Sequence, residues 1–481
     1  MNKRAQVKGR VNVEFPQIFP KPGWVEHKPD AIWRSVVKAI GLALESAKLD
    51  SSKIAGIGIT NQRETLVSWD IKTGRTVGNA IVWQCRRTTE MCERWIAKGL
   101  NSQVKKTTGL LLDPYFSGSK MAWLLTQSSD HKKLNQLGRL AFGTIDSYLV
   151  WKLTGGKTFA TDVSNASRTL LMNIKTLDYD SDMLKIFKVK RESLPKILPS
   201  NSSYGVTKKL SNLLSGIPIS GVIGDQQSAL FGQGCYERGD AKVTFGTGSF
   251  LLMNTGNKIV HSKAGLLSTV AWSLEGQRKA TYALEGGAFN CGSAVQWLRD
   301  GLEFFKNAKE IESLAKKVKD AEGVFFVPAF NGLGAPYWDP EVRGTFTGLT
   351  RGTTRAHIAR ATLESLALQN FDIFQAMKND AKMSLGKIHV DGGASRNNLL
   401  MQLQSDILYA PIFRPKNIES TSLGAGLMAG LGLGWWSDLS DVPILKGVGQ
   451  QFQPKISLKE QKSMVQAWQA LVKKLGRLYR N

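Results

Sequence analysis

At 481 residues the chain is longer than one hydrophobic core usually serves, so two or three domains are expected. The composition is globular, 42% hydrophobic and 21% charged, with 64 Lys plus Arg against 39 Asp plus Glu and a net charge of +25. Such a surplus raises binding to nucleic acid or anionic membranes, but the basic residues fall in scattered pairs such as Lys105-Lys106 and Lys473-Lys474. No long basic tract or zinc-finger spacing supports a nucleic-acid partner.

Cys85, Cys92, Cys235 and Cys291 form no CxxC pair, which predicts free thiols and a reducing, cytoplasmic setting. Five separated histidines offer no histidine-built metal site. The basic start Met1-Asn-Lys-Arg4 is not followed by the apolar core of a signal peptide. Leu423–Trp436, fourteen residues with five glycines, falls short of the roughly 20 needed to span a bilayer. It reads as a helix packed closely on a neighbour.

In chain order, Val11–Phe15 alternates like a strand, and Pro20-Lys-Pro-Gly23 breaks it before a helix over Pro29–Leu49. The apolar run Ile54–Ile59 predicts a strand that ends at Gln62-Arg63-Glu64. Adjacent Arg63 and Glu64 supply the donors and acceptors a polyol requires, or they form a surface ion pair. Asp113-Pro-Tyr115 follows, where Tyr115 either stacks on a carbon skeleton or packs beside its proline turn. Val163–Met172 reads as further strand and turn.

Ile219–Ile223 predicts a buried strand whose end delivers Asp225, followed by Gln226. A carboxylate there is suited to accept a proton from an attacking hydroxyl, or it caps the next helix. Ala241–Phe245, Gly246-Thr247-Gly248 and Phe250–Met253 predict a strand, a tight turn and a returning strand. Glycines flanking a hydroxyl residue let backbone N–H groups approach an anion, although such a turn is also common as plain structure. Asp225 and this turn together suggest phosphoryl transfer to an alcohol.

Further on, Glu285–Gln296 reads as a glycine turn opening a helix at Gly292, suited to phosphate or ribose contacts or to close packing. Thr354–Met377 repeats apolar residues at helical spacing. Lys387–Asp391, Gly392-Gly393 and Leu399–Leu408 predict strand, turn and helix, with Asn397 a cap or a ligand contact. The amphipathic Glu460–Tyr479 is expected to dock on its own domain, with a membrane surface as the alternative.

The ordered set of Thr60–Thr65, Ile81–Arg87, Asp113–Gly118, Gly224–Gln227, Phe245–Gly248, Pro328–Pro340 and Val390–Asn398 resembles the FGGY family of carbohydrate kinases over about Val13 to Tyr479. Gln62-Arg63-Glu64 with Asp113-Pro-Tyr115 is most similar to its glycerol-phosphorylating branch. The resemblance implies an α/β, two-domain actin- and hexokinase-like (ribonuclease H-like) fold with a central cleft. Residues 1–233 would bind glycerol and 234–481 the nucleotide. Arg63, Glu64, Tyr115, Asp225 and Gln226 would hold glycerol, with Asp225 as base, and Gly246, Thr247, Gly292, Gln296, Gly393 and Asn397 would contact ATP. Mg2+ would bridge the ATP phosphates, with no dedicated protein metal site, and a homo-oligomer, dimer or tetramer, is expected.

The implied reaction makes sn-glycerol 3-phosphate in glycerol catabolism; a kinase of another polyol or sugar, or a non-catalytic binding relative, is the alternative. Family members begin with an Asp-x-Gly-Thr-Thr-Ser-x-Arg hairpin that grips the transferred phosphate, and it is absent here, so the expectation is a start lying upstream. Leu213–Ile217 has no arginine where some bacterial members bind fructose 1,6-bisphosphate, so no inhibition by that sugar phosphate is expected.

Overall fold

The computed structural model describes residues 1–211, 215–416, 419–443 and 449–479. Part of the Leu213–Ile217 loop therefore lies outside the described residues.

Two sheet systems organise the chain. In the first half, five short antiparallel strands lie in the order Gln17–Ile18, Glu26–His27, Ala80–Ile81, Leu66–Asp70, Leu140–Thr144. Beside them Ile57–Asn61 pairs in parallel with Ile219–Gly224. The second half carries a seven-stranded sheet in the order Leu267–Trp272, Thr281–Ala288, Ser249–Gly256, Ala241–Phe245, Ile388–Asp391, Ile412–Pro415, Gly449–Phe452. Its central pair, Ala241–Phe245 and Ile388–Asp391, is parallel and buried.

Val243, Phe245, Leu284, Leu366, Ile373 and Trp468 belong to one large core around that sheet. A smaller core joins Ile223, Leu230 and Phe231 of the first half to Leu252, Trp272, Leu427 and Met428. The halves are thus stitched by apolar burial, which contributes about 25 cal/mol per Å² of apolar surface. The glycine-rich segment is the helix Ser420–Gly432, laid against the Ile219–Gly224 strand and the Asp225–Gly232 helix. Gly424 allows this: a β-carbon there would run into the backbone of Ser228.

The long apolar repeat forms the helix Arg355–Ala381, with Leu363, Leu366, Ile373 and Met377 buried. The last helix, Leu458–Leu478, opens on a capping box between Ser457 and Glu460 and buries Trp468, whose Nε1 donates to Asp372 Oδ2 at 2.6 Å. It docks on its own domain, with Val465, Trp468, Val472 and Leu475 in the core of the seven-stranded sheet, while Leu458 and Leu478 at its two ends stay exposed at 44% and 68%.

Three sequence expectations need correction. Val11–Phe15 alternates in burial but joins no ladder among the described residues; the first strand is Gln17–Ile18. Val163–Ala166 is a helical turn, because the Asp162 carboxylate accepts hydrogen bonds from the backbone N–H of Ser164 and Asn165 and so caps it. Glu285–Gly287 is strand, part of Thr281–Ala288, and the helix begins only at Gly292.

Candidate active site

Parallel pairing of Ile57–Asn61 with Ile219–Gly224, Asn61 opposite Gly224, brings both strand ends to one edge. The chain beyond one end carries Arg63 and Glu64, and Asp225 follows the other. Gly224 is required here, since a β-carbon would sit 2.8 Å from the Arg63 stem. Glu64 takes a left-handed φ of +59°, a conformation costing a non-glycine residue about 1–2 kcal/mol. That strain turns its side chain into the interior, where it is 1% exposed.

Arg63 is likewise buried, which removes the surface ion pair as a reading. Its Nη1 donates to Glu285 Oε2 at 2.7 Å and to Gln227 Oε1 at 3.1 Å. Its Nη2 donates to Glu285 Oε1 at 3.0 Å and to the Tyr115 hydroxyl at 3.4 Å. Its Nε lies 3.1 Å from Asp225 Oδ1 but makes no aligned hydrogen bond. A second buried guanidinium, Arg168, donates from Nε to Glu64 at 2.6 Å and from Nη2 to Glu285 at 2.9 Å.

Electrostatics follow from this packing. Burial alone would raise the Glu285 carboxyl, but Arg168 and Arg63 hold it down at about 2. For Glu64 burial prevails over the two arginines and its pKa is raised. Burial also raises Asp225, opposed by Arg63. Its side chain keeps 32% exposure, however, so solvent takes back part of that push. A carboxylate raised toward neutral, open on one side and flanked by a guanidinium, is equipped to take a proton from a hydroxyl.

Tyr115 sits just before the helix Ser117–Gln127, and Lys120, fully buried, fixes its backbone by donating to the carbonyls of Pro114 and Tyr115. Burial brings the Lys120 pKa down to about 8. The Trp83 ring stands edge-on to Tyr115, centroids 5.5 Å apart, and to Phe250 at 6.2 Å. These three rings give the polar cluster an apolar wall of the size a carbon skeleton needs. Gln226 is brought to the same place, but its Oε1 accepts from buried Lys242 on the Ala241–Phe245 strand.

That strand runs directly into Gly246-Thr247-Gly248, exposed at its first two residues. The Gly292 N–H donates to the Gly246 carbonyl at 2.9 Å, and the Cys291 N–H to the Thr247 carbonyl at 2.8 Å. The start of the helix Gly292–Asp300 is thereby fastened to the turn, with Gln296 exposed further along it. Gly392, at φ +87°, lies against the Phe245 backbone and turns the chain into exposed Gly393. Asn397 uses its side-chain oxygen as a cap, accepting from Leu400 N at 2.9 Å. Two glycine turns and one helix start therefore share the edge where the parallel strands end, the position that accepts anionic groups in such sheets.

Sequence reasoning missed Glu285, Arg168, Gln227, Lys242, Trp83 and Phe250. Arg168, the one charge in the uncharged stretch Val163–Ile174, was a usable signal. Glu285 was hidden by the glycines after it, which resemble a turn.

Residues 1–232 match the N-terminal domain of the FGGY family of carbohydrate kinases, and residues 241–433 match its C-terminal domain. A glycerol kinase of Bdellovibrio bacteriovorus is 55% identical over 454 residues, 94% of this chain and 92% of its own length. One from Bacillus subtilis is 49% identical over 98% of this chain and 95% of its own. Among solved structures, Plasmodium falciparum glycerol kinase with ADP superposes with a TM-score of 0.91 at 38% identity, over 97% of this chain and 93% of that one. Xylulose kinase from Rhodospirillum rubrum, at 21% identity and a TM-score of 0.85, shares the fold.

Proposed function

The chain belongs to the FGGY family of carbohydrate kinases, and from that premise we propose that it transfers the γ-phosphoryl group of ATP to glycerol, giving glycerol 3-phosphate. Relatives near 50% identity over almost the whole chain carry that activity in their names. The observation that carries the reading is the link between two ends of one site: Asp225 beside Arg63, and Gln226 tied through Lys242 to the strand that becomes Gly246-Thr247-Gly248.

In this scheme Arg63, Glu64 and Tyr115 bind the glycerol hydroxyls, with Gln226 at the rim. The Trp83 and Phe250 rings cover the carbon chain. Asp225 accepts the proton of the attacking hydroxyl as oxygen bonds to the γ-phosphorus and ADP leaves. Base assistance of this kind contributes roughly 10² to 10⁴-fold; positioning and charge stabilisation supply the rest of phosphoryl transfer. Gly246, Thr247, Gly292, Gln296, Gly393 and Asn397 form the nucleotide side. Residues 1–233 then carry the polar glycerol contacts and 234–481 the nucleotide contacts, with Phe250 the second half's addition to the glycerol wall.

No cluster of three or more His, Cys, Asp or Glu side chains suited to a metal occurs among the described residues. Magnesium fits this chain as an ion carried on the nucleotide phosphates, which such ions favour over all-protein cages, with Asp225 the carboxylate at the strand edge it would meet. When bound it screens the phosphate charge. The buried, unpaired thiols of Cys85, Cys92, Cys235 and Cys291 favour a reducing cytoplasm. A homo-oligomer is the assembly we propose from the family resemblance, to be read by sedimentation.

The test is ADP release by the purified chain with Mg-ATP across a panel of glycerol, other polyols, xylulose and gluconate. Glycerol is expected to give the highest kcat/KM. A sugar turned over in preference to glycerol would replace this substrate with that one.

A further inference from the structure

Glu285 belongs to the second sheet, in the strand Thr281–Ala288, yet its carboxylate is committed to two arginines of the first half. The side chain is 3% exposed, and both of its oxygens accept from Arg63, one of them also from Arg168. With Gln227 and Tyr115 on the remaining positions, both Nη atoms of Arg63 are occupied. The one donor left over is Nε, buried, without a hydrogen-bond partner and 3.1 Å from Asp225.

A bidentate carboxylate fixes the plane of a guanidinium as well as its place. We infer that Glu285 is a positioning residue for the glycerol phosphorylation proposed above: it acts through Arg63, holding that guanidinium so that its free Nε faces the acceptor hydroxyls beside Asp225. The inference rests on that substrate reading. Arg168 forms the second arm of the clamp, tying the same carboxylate to Glu64. Without the charge of Glu285, two buried guanidiniums are left facing one another, and Arg63 loses the partner that aims it.

The strand carrying Glu285 runs on to Ala288, four residues before Gly292 on the nucleotide side. General loosening of that strand would therefore disturb ATP as much as glycerol. Loss of aim at Arg63 would disturb glycerol alone.

The experiment is initial-rate kinetics on the full chain, varying glycerol and ATP in turn, for wild type, Glu285→Gln, Glu285→Asp, Arg63→Ala and the Arg63→Ala/Glu285→Gln pair. Glu285→Gln is expected to raise the glycerol KM about 10- to 100-fold, the scale of a lost charged hydrogen bond. The ATP KM should stay within about 2-fold, and in the Arg63→Ala background the added cost should shrink below about 2-fold, as for residues acting through one another. Glu285→Asp, which keeps the charge one methylene short, should recover part of the loss. If Glu285→Gln does not fold, Glu285→Asp carries the same comparison.

An equal rise in both KM values, or an undiminished cost in the Arg63→Ala background, overturns the assignment while leaving the substrate reading intact. A wild-type chain that does not turn over glycerol overturns the substrate reading and this inference with it.

Discussion

Arg63 is the hub of a buried ion network and, under the proposed function, also a ligand to glycerol, and the two roles predict different losses. Arg63→Ala removes a donor to the substrate, so the glycerol KM should rise with the ATP KM little changed. It also leaves Glu285 and Asp225 short of their cation. Breaking a buried pair costs about 3–5 kcal/mol, against roughly 0–1 kcal/mol for an exposed one. Denaturant unfolding of Arg63→Ala should show a loss in the larger range, and a loss below about 1 kcal/mol would mean that the network is slack.

A second buried carboxylate, Asp146, answers to pH. Burial lifts its pKa to about 7, opposed by hydrogen bonds from Thr144 and Thr161. Between its ordinary value of 3.8 and about 7 the folded chain holds a proton that the unfolded chain has released. Its contribution is therefore favourable at low pH and is lost as pH rises through 7. Asp146→Asn cannot ionise, so its Tm relative to wild type should climb between pH 5 and pH 8. A difference that falls over that range would contradict the assignment.

At the scale of elements, the helix Ser420–Gly432 shows how close approach sets composition. Gly424 faces the Ser228 backbone, which cannot turn aside, whereas Gly430 faces the Trp436 ring, which can. Gly424→Ala should then destabilise by about 1–3 kcal/mol or more, and Gly430→Ala by less. The reverse order in thermal unfolding would place the tight contact elsewhere. Elements whose signals are local were legible in the sequence: the strand before Asp225, the turn at Gly246–Gly248, the helix Arg355–Ala381 and the docked terminal helix. The Val163–Ala166 turn was not, because one Asp162 cap outweighed a β-branched start. Glu285 was not, because its meaning lies in an arginine 222 positions away.

For the whole molecule, the chain has the mixed α/β two-domain fold of FGGY kinases. Arg63, Glu64, Tyr115 and Asp225, all singled out from sequence and proposed for the acceptor side, do converge in space. The glycine turns do so on the other side because parallel strands deliver them to one edge. What sequence order could not convey is the stitching of the halves, by the apolar cluster around Leu427 and Trp272 and by the ion pair of Arg63 with Glu285.

The central claim, that this site phosphorylates glycerol with Asp225 as base, is tested most directly by Mg-ATP-dependent glycerol 3-phosphate formation by the 481-residue chain beside Asp225→Asn. The account predicts turnover by the wild type and a fall in kcat of about 10² to 10⁴-fold in the variant, with unfolding unchanged. A folded Asp225→Asn that retains most of the activity would contradict it.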